Sequence, residues 1–261
     1  MSTTTSATGL PKGTFTIQAQ ERIVFGEPAG PAVAAECKRY GAERVLLLST
    51  RSLARLSNGP LQRVVAALGD MCVGQFTEIR AHSPREDVIA GARRAREAGA
   101  DMLVAIGGGS VIDATKAMQL VLWLGLDSPE AMEPYRASPE RTPAASINVP
   151  LDPVRMIAVS TTLSAAEFTP HAGVTDARTG TKQTFSHRLQ VPRSVILDPE
   201  ATLDTPDWLL SCTGIRAVDH AVESFCSLAA NPASEGLSLQ GLRLLAAALP
   251  AIKAEPRALR P

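Results

Sequence analysis

Neither sign of charge is in excess. The 261 residues carry 26 basic and 26 acidic side chains, so the totals call for neither nucleic acid nor an anionic membrane as partner. Cysteine is sparse: Cys37, Cys72, Cys212 and Cys226 lie scattered, with no Cys-x-x-Cys pair. They read as reduced, mostly buried thiols of an intracellular, cytoplasmic protein. No apolar run approaches the length of a membrane span, and no membrane partner is expected. Residues 1–12 are rich in Ser and Thr but lack the apolar core of a signal peptide, so residues 1–13 read as a disordered lead-in. There is no internal repeat. What is present is 45% hydrophobic, enough for one large domain or two modest ones with real cores.

The most informative stretch is Asp101-Met-Leu-Val-Ala-Ile-Gly-Gly-Gly-Ser110-Val-Ile-Asp113-Ala-Thr-Lys116. Residues 102–106 form an apolar run of strand length. Three glycines follow, and then a helical pattern from Val111 to about Leu124. A strand ending in glycines that open a helix can cradle a phosphate. Glycine lets backbone N–H groups approach the oxygens, and the helix N-terminus adds partial positive charge. The spacing is neither Gly-x-Gly-x-x-Gly nor Gly-x-x-x-x-Gly-Lys-[Ser/Thr]. A plainer reading makes it an ordinary βα turn, with Ser110 capping the helix and Asp113 completing a capping-box-like pair. Against that, Asp113 and Lys116 stand three apart on one helix face, one turn above the glycines, where they can reach a ribose or a nicotinamide.

The flanking chain supplies further strand–helix units. Strands are expected at residues 22–25, 44–50 and 74–79, with helices at 31–40, 60–68 and 84–98. The order β-α-β-α-β-α-β-α predicts an α/β fold with a doubly wound parallel sheet. Arg93, Arg94 and Arg96 read as a solvated helix face. Residues 127–153 hold six prolines and little period, so an irregular connection is expected, with one turn of helix at 129–132. A strand over 156–160 runs into a hydroxyl-rich loop. Residues 172–185 read as a hairpin turning at 176–180, and residues 194–199 as the last strand. From Thr205 the chain reads as helical. A helix capped at Thr205 comes first, a second covers 215–228 after Gly214, and a long amphipathic one covers 233–254. The end of the 44–50 strand is where such a fold tests the adenosine ribose. An acid there accepts from the 2′-hydroxyl, whereas a neutral residue with a nearby arginine tolerates a 2′-phosphate. Thr50 followed by Arg51 fits the second case, with a solvated loop charge as the plainer reading of Arg51.

The segment Gly107-Gly-Gly-Ser-Val-Ile-Asp113-Ala-Thr-Lys116 resembles the nucleotide-binding signature of the iron-containing alcohol dehydrogenase superfamily, which has the dehydroquinate-synthase-like fold. The resemblance implies NAD or NADP with its pyrophosphate on Gly107, Gly108, Gly109 and Ser110, and with Asp113 and Lys116 close by. Where the superfamily commonly has an Asp, this chain has Thr50. Ser160-Thr161-Thr162 resembles the family's Pro-Thr-Thr loop, whose threonines touch the cofactor, with serine in place of the proline. The interval from Thr162 to Glu167 is one residue shorter than in typical alcohol dehydrogenases and, with Thr169-Pro170 after the acid, is similar to the maleylacetate reductase branch. Lys182 matches a lysine that the superfamily directs at the nicotinamide side of the cleft, its alternative being an exposed strand lysine. Asp198-Pro199 resembles the family's exit from the nucleotide domain. The implied domains are a dinucleotide-binding domain over 14–199 and the start of a helical domain over 200–261.

Gly214-Ile-Arg216-Ala-Val-Asp219-His220-Ala-Val-Glu223 resembles the superfamily's Gly-x-Asp-x-x-x-His-x-x-Glu, in which Asp and His hold one divalent metal. His220 is kept, but Arg216 takes the acidic place, and a guanidinium cannot ligate a cation. Asp219 points about 100° away from that face on an ideal helix. The resemblance also implies that the family's remaining histidines lie in helices beyond residue 261, which leaves His220 the one retained candidate, and no bound metal is expected. The function so implied is an NAD(P)-dependent oxidoreductase moving hydride to or from a small carbonyl, alcohol or unsaturated acid, in a homodimer. Arg216 would hold a substrate carboxylate and His220 would donate the proton, the plainer reading of Arg216 being an intrahelical or interdomain salt bridge to Glu223 or Asp219. The alternatives are a truncated, silent nucleotide-binding protein and a metal-dependent alcohol dehydrogenase.

Overall fold

The computed structural model describes residues 4–5, 11–12, 18–137 and 147–255. The expected lead-in over 1–13 falls mostly outside them, as does the middle of the proline-rich connection. The chain divides into two compact units. Gln18–Asp204 is one, and Met1–Ile17 together with Thr205–Pro261 is the other.

In the larger unit the chain runs β3 (Arg22–Phe25), α1 (Ala29–Arg39), β4 (Val45–Leu48), α2 (Arg51–Ala54), α3 (Pro60–Leu68), β5 (Cys72–Phe76), α4 (Arg85–Glu97), β6 (Met102–Gly107), α5 (Gly109–Leu124), β7 (Arg155–Ser160), β8 (His171–Asp176), β9 (Thr181–Ser186) and β10 (Ser194–Leu197). The strands before these, β1 (Thr4–Thr5) and β2 (Pro11–Lys12), form a small antiparallel pair in the other unit. Six strands make one sheet in the order β3-β10-β7-β6-β4-β5, every pairing parallel. The pleat sends alternate residues to opposite faces. Leu46, Leu48, Leu103 and Ala105 pack with α4 and α5, whereas Val45, Leu47, Val104 and Ile106 pack with α1 and α3. Both faces are covered, which is why these strands are apolar throughout. The hairpin β8–β9 lies over the α5 side, with Ala172, Val174 and Phe185 fully buried.

From β4 the chain crosses to edge strand β5 through α3 on one face, then returns past β4 to β6 through α4 on the other. The loops leaving β4 and β6 therefore diverge to opposite faces. The crevice they leave is the switch point at which open α/β sheets take ligands.

Several boundaries differ from expectation. The first helix starts at Ala29, ahead of Pro31, because a proline in the first turn forfeits no intrahelical bond. The strand placed at 74–79 is Cys72–Phe76, and Ile79 is buried from the following loop instead. The turn at 129–132 is a longer 3-10 segment, Glu130–Tyr135.

In the smaller unit, Pro206 rather than Thr205 takes the N-cap position of α6 (Asp207–Phe225), and no side chain caps that end. Gly214 does not separate two helices: it lies buried inside this single one, where burial outweighs glycine's poor helix propensity. The last helix, α7 (Pro232–Ala254), opens on a capping box from Asn231 and Ser234. By length and composition α7 is apolar enough to cross a membrane, contrary to the expectation of no such run. Its longest unbroken apolar stretch covers only residues 244–252, between Arg243 and Lys253, so no run of spanning length marks it in the sequence.

Candidate functional site

The glycine stretch forms the cradle, and the cap reading of Ser110 does not hold. The residue at the N-cap of α5 is Gly108, with no side-chain cap, and Ser110 lies inside the first turn. The Ser110 hydroxyl accepts from the backbone N–H of His82 at 3.0 Å, and its carbonyl accepts from the Ser83 hydroxyl at 2.7 Å. The helix thus opens without the side-chain oxygen that usually satisfies its first N–H groups, the condition for receiving an anion.

The loop after β7 lies against this opening. Thr161 N–H donates to the Gly107 carbonyl at 3.0 Å, and the Ser160 hydroxyl donates to the Thr162 carbonyl at 2.9 Å. A Cβ on Gly108 would stand 2.8 Å from Thr162 Cγ2 and 3.0 Å from its Oγ1, and one on Gly109 would stand 3.2 Å from Ser164 Oγ. Thr162 Oγ1 is buried with no hydrogen-bond partner among the described residues, an orphan polar atom beside an uncapped helix. Gly107, Gly108, Gly109, Ser110, Thr161 and Thr162 are therefore brought together.

Lys116 does not present its ammonium to the crevice. It is fully buried, and Nζ donates to the carbonyls of Ala166 at 2.8 Å, Thr169 at 3.3 Å and His171. Burial pulls its pKa down, opposed by Asp113 3.0 Å away. Asp113 also accepts from Gly173 N–H at 3.1 Å and stands 3.9 Å from the Lys182 ammonium. Lys182 is 58% exposed, and a Cβ at Gly173 would run into it. Lys116 thus fastens the Thr-Thr loop and the start of β8 onto α5, while Asp113 links this fastening to Lys182.

Thr50 is the N-cap of α2 and accepts from Leu53 N–H at 3.4 Å. It leaves β4 beside the cradle, since Ser49 Oγ donates to the Ile106 carbonyl at 2.8 Å. Arg51 is ion-paired with Glu78 across the loop after β5. Glu78, His82 and Ser83 are neighbours the sequence reading missed. His82 and Ser83 hold φ of 62° and 52°, a left-handed turn that the sequence does not announce, since a residue before proline favours extended backbone.

The family described as iron-containing alcohol dehydrogenase matches residues 20–199. This chain belongs to it. A maleylacetate reductase of Sphingobium indicum is 34% identical over 235 residues, covering 90% of this chain and 56% of that protein. The crystal structure of maleylacetate reductase from Agrobacterium tumefaciens superposes with a TM-score of 0.75 at 29% identity, covering 95% of this chain and 61% of that one. A sulfoacetaldehyde reductase from Bifidobacterium kashiwanohense, solved with NAD+, shares the fold at a TM-score of 0.83 and 24% identity, over 95% of this chain and 63% of that one. The chain spans little more than half the length of the curated relatives it matches.

An iron-containing alcohol dehydrogenase implies a metal, and the residues described here do not fit one. Among them no group of three or more His, Cys, Asp or Glu is gathered to hold an ion. In α6 the Arg216 guanidinium pairs with Asp219 and stands 4.0 Å from Glu223. The intrahelical salt bridge is therefore what Arg216 makes. Burial and the Arg216 charge both lower the His220 pKa.

Proposed function

We propose that this chain is the nucleotide-binding part of an NAD(P)-dependent oxidoreductase of the maleylacetate reductase type. The observation that carries the reading is the uncapped start of α5 facing the orphan Thr162 hydroxyl at the sheet's switch point. Gly107, Gly108, Gly109 and Ser110 would hold the pyrophosphate, with Thr161 and Thr162 against it. Asp113 would orient Lys182 toward the nicotinamide. A dinucleotide held there would supply hydride. Relatives named maleylacetate reductase support an unsaturated or keto dicarboxylate as the acceptor. His220 would donate the proton and Arg216, released from Asp219, would hold a carboxylate. The protein would be a cytoplasmic homodimer, a reading supported by its four free cysteines only as to compartment.

Fluorescence titration of the purified chain with NADH and NADPH tests the reading, and failure to bind either removes it. Hydride transfer to maleylacetate-like dicarboxylates, measured with and without a chelator, then separates this reading from the metal-dependent alcohol dehydrogenase. Binding without turnover would leave the silent nucleotide-binding protein.

A further inference from the structure

We propose that Glu78 sets the coenzyme preference, by disfavouring a 2′-phosphate and accepting from a ribose 2′-hydroxyl. The inference rests on the dinucleotide reading above and names a residue for the end of the site opposite the nicotinamide. Three neighbouring strands order the groups along the sheet edge. Gly107 ends β6. Thr50 and Arg51 follow β4, which pairs with β6 at Leu48 and Ala105. Glu78 follows β5, tied to β4 where Ser49 N–H donates to the Phe76 carbonyl at 3.0 Å. With a pyrophosphate on the cradle, an adenosine extending across β4 brings its ribose to Thr50 and Arg51, and Glu78 is the next group outward.

Thr50 offers no carboxylate and spends its hydroxyl on capping α2. Arg51 alone would favour NADP, yet its Nε donates to Glu78 Oε2 at 2.5 Å and its NH2 group to the same oxygen. The next cation on this loop, Arg80, is likewise held, by Asp87 at 2.7 Å. Arg51 and Arg80 therefore each already have a carboxylate. A 2′-phosphate would have to displace Glu78 from Arg51 while lying beside its negative charge. A 2′-hydroxyl would instead donate to Glu78, whose half-exposed side chain takes both Arg51 bonds on the single oxygen Oε2. Glu78 thus supplies, from the neighbouring loop, the acid that the end of β4 lacks.

The test is the ratio of NADPH to NADH dissociation constants for the unaltered chain, Glu78→Gln, Arg51→Gln and the double variant. Both side chains are exposed, so these substitutions leave folding intact. Glu78→Gln should shift the ratio toward NADPH by roughly tenfold, the size of one charge-assisted interaction. Adding Arg51→Gln should remove that gain. A shift toward NADPH of less than about threefold, or one toward NADH, overturns the proposal. So does a gain that survives loss of Arg51. If neither dinucleotide binds the unaltered chain, the nucleotide reading itself fails, which a normal binding curve with an unchanged ratio would not imply.

Discussion

Two residues carry most of the local logic. Gly108 matters for what it lacks: a side chain there would occupy the Thr162 contact and cover the uncapped N–H groups. Gly108→Val should lower NAD(P)H affinity at least ~10-fold while leaving the far-UV spectrum unchanged, since the β6–α5 core does not include this position. An unchanged dissociation constant would remove the cradle from the argument. Glu167 matters for its burial. Desolvation raises its carboxyl above the ordinary 4.5, against smaller opposing effects from backbone N–H, Ser160 and Lys116. Its Oε2 is buried without a hydrogen-bond partner among the described residues. The folded protein then holds the proton more tightly than the unfolded chain. Its stabilising share is full below pH 4.5 and is lost as pH rises through the folded value. Glu167→Gln should flatten the fall in melting temperature above pH 4.5, read by calorimetry at a series of pH values. An equally steep fall in the variant would assign the slope to other groups.

Elements were legible where one local pattern decides them. The helix Pro60–Leu68 begins at a proline and ends before Gly69, whose φ of 53° suits glycine, and its bounds follow from those two residues. The hairpin was equally readable from alternation and Gly180. What could not be read is what long-range contacts decide. The start of α1 depends on Asp198, 169 residues later, whose Oδ2 accepts from Ala29 N–H at 2.9 Å. Lys116 reads from sequence as a ligand-facing group, and only the fold brings three carbonyls to its ammonium. Arg51 reads as free because Glu78 lies on another strand's loop. Asp198 also accepts from Glu200 N–H at 2.9 Å, so one buried carboxylate closes both the exit of β10 and the start of α1. Asp198→Ala should cost about 1–3 kcal/mol by orphaning a buried donor, a lower melting temperature by several degrees in thermal unfolding. A change within error would mean that water replaces the carboxylate without loss.

At the scale of the whole chain the two compact units differ in how much apolar surface they cover. The unit Gln18–Asp204 has two clusters of buried side chains, one on each face of its sheet. In α6 only Leu210 and Gly214 are buried, and in α7 only Ser238. Trp208, Ile215 and Val222 recur at seven-residue spacing along α6, as Leu237 and Leu244 do along α7, and all are exposed. Few buried apolar contacts mean a low free energy of local opening. Trypsin should therefore cut first within residues 205–255, at Arg216, Arg243 or Lys253, while Arg93, Arg94 and Arg96 on α4 resist despite their exposure. Helical backbone anchored by Val88, Ile89, Ala92 and Ala95 cannot open into a protease without exposing the core. Every group of the cradle, with its fastening through Lys116 and Asp113, lies before residue 205. The resistant fragment should bind NAD(P)H as tightly as the uncut chain, measured by titration before and after digestion. First cuts in α4 or α5, or affinity lost along with α6, would show that the nucleotide unit depends on the helices for its stability.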